Sequence, residues 1–259
     1  MCLVLVALRS HAEYPLIVAA NRDEFYDRPT DPADFWPDAP TVLGGRDLKA
    51  GGTWLGLDTR GRLAAVTNYR QGTRENAAPR SRGYLVSEFL TGDSGIPQYM
   101  QRVQRDAELY NGFNLIAGDS SALFYYSNRE GRIRRLTPGV YGLSNHLLDT
   151  PWPKVAATKQ AFGSLLSGGS AQLIDQLFAL LSDRRQAGDD QLPSTGVGQD
   201  WERLLSSAFI ASQEYGTRSS TVVLVGRDGA AVFVERSFGR EGEQQGEVRF
   251  EIVSRAVGP

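Results

Sequence analysis

Short apolar runs separated by polar turns dominate the first seventy residues of the chain. Residues 2–8 and 15–20 are unbroken apolar runs of strand length, and the polar turn 9–13 between them predicts an antiparallel hairpin. Four prolines in 26–40 favour an extended loop over a helix. Two further strands are predicted at 54–57 and 63–69.

Apolar residues then recur at helical spacing, and strand patterns return after each helical group. Helices are predicted at 84–90, 98–109, 152–166, 171–181 and 201–209. Strands are predicted at 113–117, 123–126, 133–136, 141–143, 220–225, 231–235 and 248–253. The polar segment 182–199 is predicted to be a mobile loop. This grouping of strands and helices indicates antiparallel sheets covered by helices, an α+β fold with one domain over residues 1–259.

Composition narrows the function classes. The 259 residues carry a formal net charge of −2, one Cys and two His. The balanced charge argues against a nucleic-acid partner. One cysteine excludes a Cys-rich zinc site, an iron–sulfur cluster and an internal disulfide. The apolar start lacks the basic region of a signal peptide, and no run approaches the ~20 residues that span a bilayer, so we expect a cytoplasmic protein without a transmembrane segment.

The single cysteine stands at position 2, which gives it a special chemistry if Met1 is removed. Cys2 would then carry a thiol nucleophile and a free α-amine, whose ordinary pKa is about 7.7–8.0. Such an amine can act as the base that activates its own nucleophile. The alternative is that Cys2 is a small apolar residue that begins a strand, as free cysteines commonly are.

Four polar residues, Asn21, Arg22, Asp23 and Glu24, abruptly end the second apolar run. If the two runs pair as a hairpin, this cluster approaches Cys2. Arg22 would then lower the pKa of the thiol, and Asp23 or Glu24 would orient the α-amine. The alternative is a solvated charged strand end.

Asn68 and Asn145 also end predicted strands. A fixed Asn amide is a suitable hydrogen-bond donor to a tetrahedral oxyanion, although Asn more often simply marks a turn. His146 follows Asn145 and is expected near the mouth of a pocket, whereas His11, in the first turn, is expected to be exposed to solvent.

Sequence blocks along the whole chain resemble those of the NRDE family, also called the transport-and-Golgi-organisation family. The blocks lie at 1–2, 19–25, 51–56, 67–69, 110–115, 141–145, 150–152 and 215–218. The resemblance implies a four-layer αββα N-terminal-nucleophile (Ntn) hydrolase sandwich, with two antiparallel sheets between helices. Cysteine members of that superfamily, the choloylglycine and penicillin V acylases, use an N-terminal Cys to cleave amides.

The same resemblance assigns roles to particular residues. Asn145 matches the oxyanion Asn of the acylases, and Asn68 matches a second donor position. Separately from these assignments, Trp54, Tyr69, His146 and Arg218 are the candidate substrate contacts. The acylases carry Arg-x-x-Asp after the second strand, where this chain has Asn21 to Glu24. Because a shift of one residue reverses the face of a strand, the role of the acylase arginine does not transfer directly to Arg22.

Two hypotheses follow. The first is an Ntn-type hydrolase of a small amide or thioester, which needs no cofactor. The second is a non-enzymatic carrier that uses the same pocket, because family members are linked to haem mobilisation and to lipid or acyl-coenzyme A homeostasis. In the carrier, haem is a bound cargo and His146 its candidate contact. Propionates or phosphates would then be bound by Arg22, Arg70, Arg74 and Arg218. A structural scaffold is the weaker third hypothesis, since it gives no reason for the polar cluster beside the thiol.

Overall fold

The computed structural model describes residues 2–72 and 80–253. Its strands are β1 (Cys2–Leu8), β2 (Leu16–Phe25), β3 (Thr30–Trp36), β4 (Ala39–Asp47), β5 (Leu55–Asp58), β6 (Leu63–Asn68), β7 (Phe113–Gly118), β8 (Leu123–Ser127), β9 (Arg134–Arg135), β10 (Gly139–Leu143), β11 (Tyr215–Val225), β12 (Ala231–Phe238) and β13 (Gln244–Ile252). Its helices are α1 (Tyr84–Thr91), α2 (Ile96–Arg105), α3 (Pro153–Leu165), α4 (Leu173–Leu181) and α5 (Gln199–Leu204).

The strands form two antiparallel sheets. One has the order β10-β1-β2-β11-β12-β13, and the other runs from β3 to β9 in chain order. Three apolar layers hold the sheets and helices together. The first lies between the sheets, the second between the six-stranded sheet and helices α3 and α4, and the third between the seven-stranded sheet and helices α1 and α2. The predicted αββα sandwich is therefore confirmed.

The first strand shows how the sequence produces these layers. Val4 and Val6 face the other sheet, whereas Leu3 and Leu5 face the helices. A strand with both faces buried has an unbroken apolar sequence, which explains residues 2–8. The predicted hairpin with β2 is also confirmed.

The prediction of a loop over 26–40 is wrong. Residues Thr30–Trp36 form β3, and β4 begins at Ala39. β3 is the edge strand of its sheet, and its register with β4 is irregular between Asp31 and Asp34. Pro32 lies in that interval. An edge position tolerates proline because the missing N–H is not needed by a second neighbour.

Several boundaries also differ from the prediction. Strand β11, predicted over 220–225, begins at Tyr215. Helix α5, predicted over 201–209, ends at Leu204. The segment 182–199 contains a short 3-10 turn, Asp189–Gln191, and its mobility stays a prediction. Over the described ranges, no helix combines the length and apolar character that a membrane crossing requires.

Candidate functional site

A cavity of about 400 Å³ opens where β1 begins and β2 ends. Its other walls come from the end of β4 and the chain between it and β5, from the end of β6 and from the segment before α1. Six of the residues predicted from the sequence line it: Cys2, Arg22, Asp23, Glu24, Trp54 and Asn68.

Strand register explains why Cys2 and Arg22 share this cavity. They are directly opposed in the β1–β2 pair and so point to the same face of the sheet. The Arg22 guanidinium stacks over the ring of Trp54 at 4.2 Å and donates to the Thr30 hydroxyl at 3.1 Å. Burial lowers the pKa of Arg22. These two contacts fix the Arg22 guanidinium in the cavity wall beside the Cys2 thiol.

Two glycines, Gly45 and Gly52, leave the space that Trp54 needs in order to stack against Arg22. A Cβ on Gly52 would lie 2.6 Å from the carbonyl carbon of Gly83, closer than any side chain permits, so the chain before Trp54 can approach α1 only through glycine. A Cβ on Gly45 would similarly meet the Trp54 ring at 2.2 Å. The 51–56 block of the sequence thus builds one wall of the cavity.

The Cys2 side chain is partly exposed to the cavity. Burial is the largest influence on its thiol and raises the pKa above the usual 9.0, while the nearby Arg22 acts in the opposite direction. The direction expected of Arg22 is correct, but the desolvation of the thiolate outweighs it.

Of the two predicted carboxylates, Asp23 is the immobilised one. It is 1 % exposed, and its Oδ1 accepts a hydrogen bond from the Thr217 hydroxyl at 2.8 Å. Burial raises the pKa of Asp23, and Lys154 acts against that rise. Glu24 is half-buried, and its carboxylate accepts from the N–H of Phe25.

Asn21 is the predicted site residue that the fold directs elsewhere. It is opposed to Leu3 and therefore faces the helices. Its Nδ2 donates to the carbonyl oxygens of Leu181 and Ala208, each at 2.8 Å. Asn21 thus ties the end of α4 to the sheet, and the structure does not place it on the cavity wall.

The two predicted oxyanion donors lie together, but in different settings. Asn145 is fully buried, and its Nδ2 donates to the backbone carbonyl of Asn68 at 3.0 Å. The Ser144 hydroxyl lies within hydrogen-bond distance of both the Asn145 Oδ1 and the Cys2 carbonyl oxygen. Asn68 lines the cavity and Asn145 does not. The buried Asn145 therefore supports the cavity wall from behind.

Tyr69 and His146 form a separate cluster beside this site. The Tyr69 hydroxyl lies 2.8 Å from His146 Nε2, and the Thr150 hydroxyl lies 2.8 Å from His146 Nδ1. Both ring nitrogens are therefore already hydrogen-bonded. Burial, together with the positive charge of Arg70, lowers the pKa of His146. Neither Tyr69 nor His146 lines the Cys2 cavity.

Arg218 supports a loop in this structure. Its guanidinium donates to the carbonyl oxygens of Phe25, Tyr26 and Arg28, and so fixes the chain that follows β2. It lines a neighbouring cavity of about 280 Å³, which Arg22 and Trp54 also line. Arg218, a predicted substrate contact, therefore lines the neighbouring cavity and not the one that contains Cys2.

His11 corrects another expectation. It is 7 % exposed rather than open to solvent. Its Nδ1 accepts the backbone N–H groups of Glu13 and Tyr14 at 3.1 and 3.2 Å. The ring therefore closes the turn between β1 and β2.

Lys154 is the main residue that the sequence analysis missed. It is 5 % exposed, and within residues 2–72 and 80–253 its Nζ has no hydrogen-bond partner. Burial lowers the pKa of Lys154 to about 8, while Asp23 and Cys2 act to raise it. The available signal was its rarity, since Lys154 is one of three lysines in an arginine-rich chain. In the parts of the chain that are described, no three His, Cys, Asp or Glu side chains are grouped to hold a metal ion.

Two antiparallel sheets between helices are the layers of an Ntn-hydrolase-like fold. The C2A mutant of a conjugated bile acid hydrolase from Clostridium perfringens has the same fold. Its structure aligns with a TM-score of 0.52 over 97% of this chain and 92% of that chain, at 8% identity. At this identity the likeness concerns the fold alone.

Sequence comparison gives the family. The family model described as Transport and Golgi organisation 2 matches residues 1–240, and the chain belongs to this family. The "Transport and Golgi organization protein 2 homolog" of Bos taurus is 47% identical over 244 residues, which cover 86% of this chain and 87% of the bovine protein. The Homo sapiens homolog is 45% identical over 240 residues, with the same coverage of 86% and 87%.

Proposed function

We propose that this protein is a cysteine hydrolase of the Ntn type, which cleaves the amide or thioester bond of a small acyl substrate in the cytoplasm. The observation that carries the proposal is the joint placement of Cys2, Arg22 and Asp23 on one cavity wall. A reducing compartment would keep the single thiol free. No cofactor enters the reaction.

The proposed reaction begins with removal of Met1, which lies outside the described residues. The α-amine of Cys2 takes the thiol proton, and the thiolate sulfur attacks the acyl carbon to form a tetrahedral oxyanion. Collapse of this species breaks the bond to the leaving amine or thiol, which receives the proton from the ammonium. Water then attacks the acyl thioester, with the amine again as base, and releases the acid and the free thiol.

Two groups support particular steps. Asp23 lies next to Arg22, so the β1–β2 register brings it to the level at which a chain beginning with Cys2 presents its α-amine. Asn68 is the cavity residue that supplies an amide to the oxyanion. Since Asn145 already donates to the Asn68 carbonyl, its role in the proposal is to hold Asn68 in position.

The rim of the cavity favours an anionic substrate. Arg28, Lys49 and Arg82 line it, opposed by Asp47 and Glu24. Asp47 is paired with Arg28 at 2.7 Å, and Lys49 is exposed. A carboxylate or phosphate on the substrate would therefore meet positive charge before it reaches the thiol.

The test combines mass and turnover. Intact-mass measurement should show the loss of Met1, and a library of acyl amides and thioesters should yield a substrate. Cys2→Ala should abolish turnover, whereas Lys159→Met, which removes a half-buried ion pair between α3 and Asp149, should leave it unchanged. Retention of Met1, or a wild-type rate in Cys2→Ala, would reject the mechanism.

A second proposal is a non-enzymatic carrier of an acyl-coenzyme A. It is favoured by the raised pKa of the Cys2 thiol, which burial makes a poorer nucleophile, and by the basic rim that matches phosphates. Calorimetric titration with an acyl-coenzyme A separates the two proposals. A carrier binds it and returns it intact, and Lys49→Glu weakens binding; hydrolysis releases free coenzyme A, which a thiol reagent detects.

Haem remains a proposed cargo of the carrier, with weaker support. Iron ligation by His146 would have to break the hydrogen bond to Tyr69 or to Thr150, although the basic rim would suit propionates. In a haem titration, a Soret shift that is lost in His146→Ala would support this ligand. A shift that survives the substitution would exclude His146 while leaving binding intact.

A further inference from the structure

Lys154 presents an unusual arrangement behind the Cys2 cavity. It stands in the first turn of α3, the helix that packs against β1 and β10. On the same buried face, Val155 and Phe162 pack against the six-stranded sheet, and the hydroxyl of the buried Thr158 donates to the Lys154 carbonyl oxygen at 2.6 Å. A lysine in such a position normally reaches the solvent with its ammonium group. This one is 5 % exposed, and its Nζ has no hydrogen-bond partner among the described residues.

The charged and titratable groups that face Lys154 come from three other elements. Asp23 on β2 and Cys2 on β1 stabilise its ammonium form, and Arg70, after β6, opposes it. Asp183 and Arg185 share an outer cavity with Lys154, but they pair with each other. Asp23 is therefore the carboxylate that most strongly stabilises the Lys154 ammonium. The proposed reaction uses the same carboxylate to orient the α-amine.

We propose that Lys154 is a positioning residue of the Cys2 site, whose buried ammonium shares the Asp23 carboxylate with the Cys2 α-amine and thereby sets the pH at which the amine and the thiol lose their protons. This inference rests on the proposed function for the part that concerns the amine. The physical reason is that one buried carboxylate does not stabilise two neighbouring ammonium groups at once. A charged Lys154 makes the α-amine easier to deprotonate, and it also stabilises the Cys2 thiolate.

The single cysteine makes the test direct. The rate of Cys2 alkylation by iodoacetamide is measured against pH in the wild-type protein, in Lys154→Met and in Lys154→Arg. Loss of the buried cation should move the profile to higher pH by about one unit, which is about tenfold in rate below the midpoint. Lys154→Arg keeps the charge and should restore most of the wild-type profile. Lys159→Met, on the same helix but in a half-buried ion pair with Asp149, is the matched control and should have no effect.

A measurement on the wild-type chain covers the case in which Lys154→Met does not fold. With lysine labelled by 13C at Cε, NMR shows three signals, and Lys49→Met and Lys159→Met assign the third to Lys154. That signal should titrate near pH 8 rather than at 10.5, and its midpoint should move when Cys2 is carbamidomethylated. A Lys154 signal that titrates at 10.5, or that does not change when Cys2 is modified, overturns the proposal.

The two proposals fail in different ways. If no acyl substrate is turned over but the alkylation profile depends on Lys154, the hydrolase is rejected and the effect of Lys154 on the thiol stands. If Cys2-dependent turnover is found and the alkylation and kcat/KM profiles of Lys154→Met match the wild type, the hydrolase stands and the role of Lys154 is rejected.

Discussion

Two buried cation–carboxylate pairs lie close together in this protein, and they are built differently. Arg70 and Glu202 form a direct ion pair at 2.7 Å, with side chains 4 % and 5 % exposed, and the second oxygen of Glu202 accepts from the N–H and hydroxyl of Thr195. Lys154 and Asp23 are equally buried, yet the Lys154 Nζ makes no hydrogen bond within the described residues. In the first pair the guanidinium and the carboxylate are in direct contact, although the Arg70 Nε has no hydrogen-bond partner among the described residues. In the second, burial leaves the ammonium group in an environment that favours its neutral form.

The difference separates structural from functional use of buried charge. The closed pair, Arg70 and Glu202, joins α5 to the loop after β6 by a direct contact of fixed geometry. The open pair, Lys154 and Asp23, lies beside the Cys2 thiol and its cavity. A group that loses its proton easily is typical of a functional site. The following predictions test this contrast.

The largest effect is expected at the closed pair. Glu202→Gln leaves Arg70 buried without its counter-charge and should lower the free energy of unfolding by about 3–5 kcal/mol. Urea unfolding followed by circular dichroism measures the loss. Asp200→Asn is the control on the same helix, because its carboxylate pairs with Arg203 at the surface and is 98 % exposed. A Glu202→Gln protein as stable as this control would show that the pair is not structural.

The open pair should instead respond to pH. Burial lowers the pKa of Lys154 from 10.5 to about 8, so between these values the unfolded chain binds a proton that the folded chain does not. The stability of the wild type should therefore rise with pH in this window, by at most about 1.4 kcal/mol for each pH unit. Lys154→Met should lack this contribution, as shown by the difference between its unfolding free energy and that of the wild type at pH 7.5 and pH 10. A constant difference would contradict the assignment.

The smallest effect is expected in the Tyr69 and His146 cluster. Tyr69→Phe removes one hydrogen bond and should cost about 1 kcal/mol of unfolding free energy. Tyr84→Phe, at a tyrosine 38 % exposed, is the comparison variant. A loss above that of Tyr84→Phe, with unchanged thiol alkylation, is the outcome that fits a cluster separate from the Cys2 site.

His146 adds a pH signature to the same cluster. Because its folded pKa lies below the usual 6.5, the unfolded chain gains the proton first as the pH falls. Stability should be fully present above about pH 6.5 and should decline below it. His146→Gln should remove that decline, and a variant that loses stability in acid as steeply as the wild type would contradict it.

Much of the arrangement around Cys2 could be predicted from the sequence, because it depends on local pattern. The unbroken apolar run of residues 2–8 and the abrupt polar end of β2 were sufficient to place Cys2 beside Arg22. β3 was missed because Pro32 argues against a strand unless its edge position is known. Nothing local distinguishes Asn21, which faces helix α4, from Arg22, which faces the cavity; the distinction comes from the sheet face on which each of the two residues lies.

The long-range parts of the site were not predictable. Lys154 is far from Cys2 in the chain, and its burial results from how α3 crosses β1 and β10. Arg218 was interpreted as an anion contact, but the structure uses its guanidinium for three backbone carbonyls. In both cases the sequence identifies a charged side chain, but its contacts depend on tertiary packing and so could not be predicted.

The central place of β1 has a practical consequence for recombinant work. Cys2 enters a strand flanked on both sides by β10 and β2, and its side chain lines the cavity. An affinity tag fused ahead of it would keep residue 2 from carrying a free amine and would crowd the cavity mouth. At the other end, β13 is an edge strand and Val253 is 80 % exposed. A tag placed after the last residue would leave the N-terminus and the Cys2 cavity unchanged.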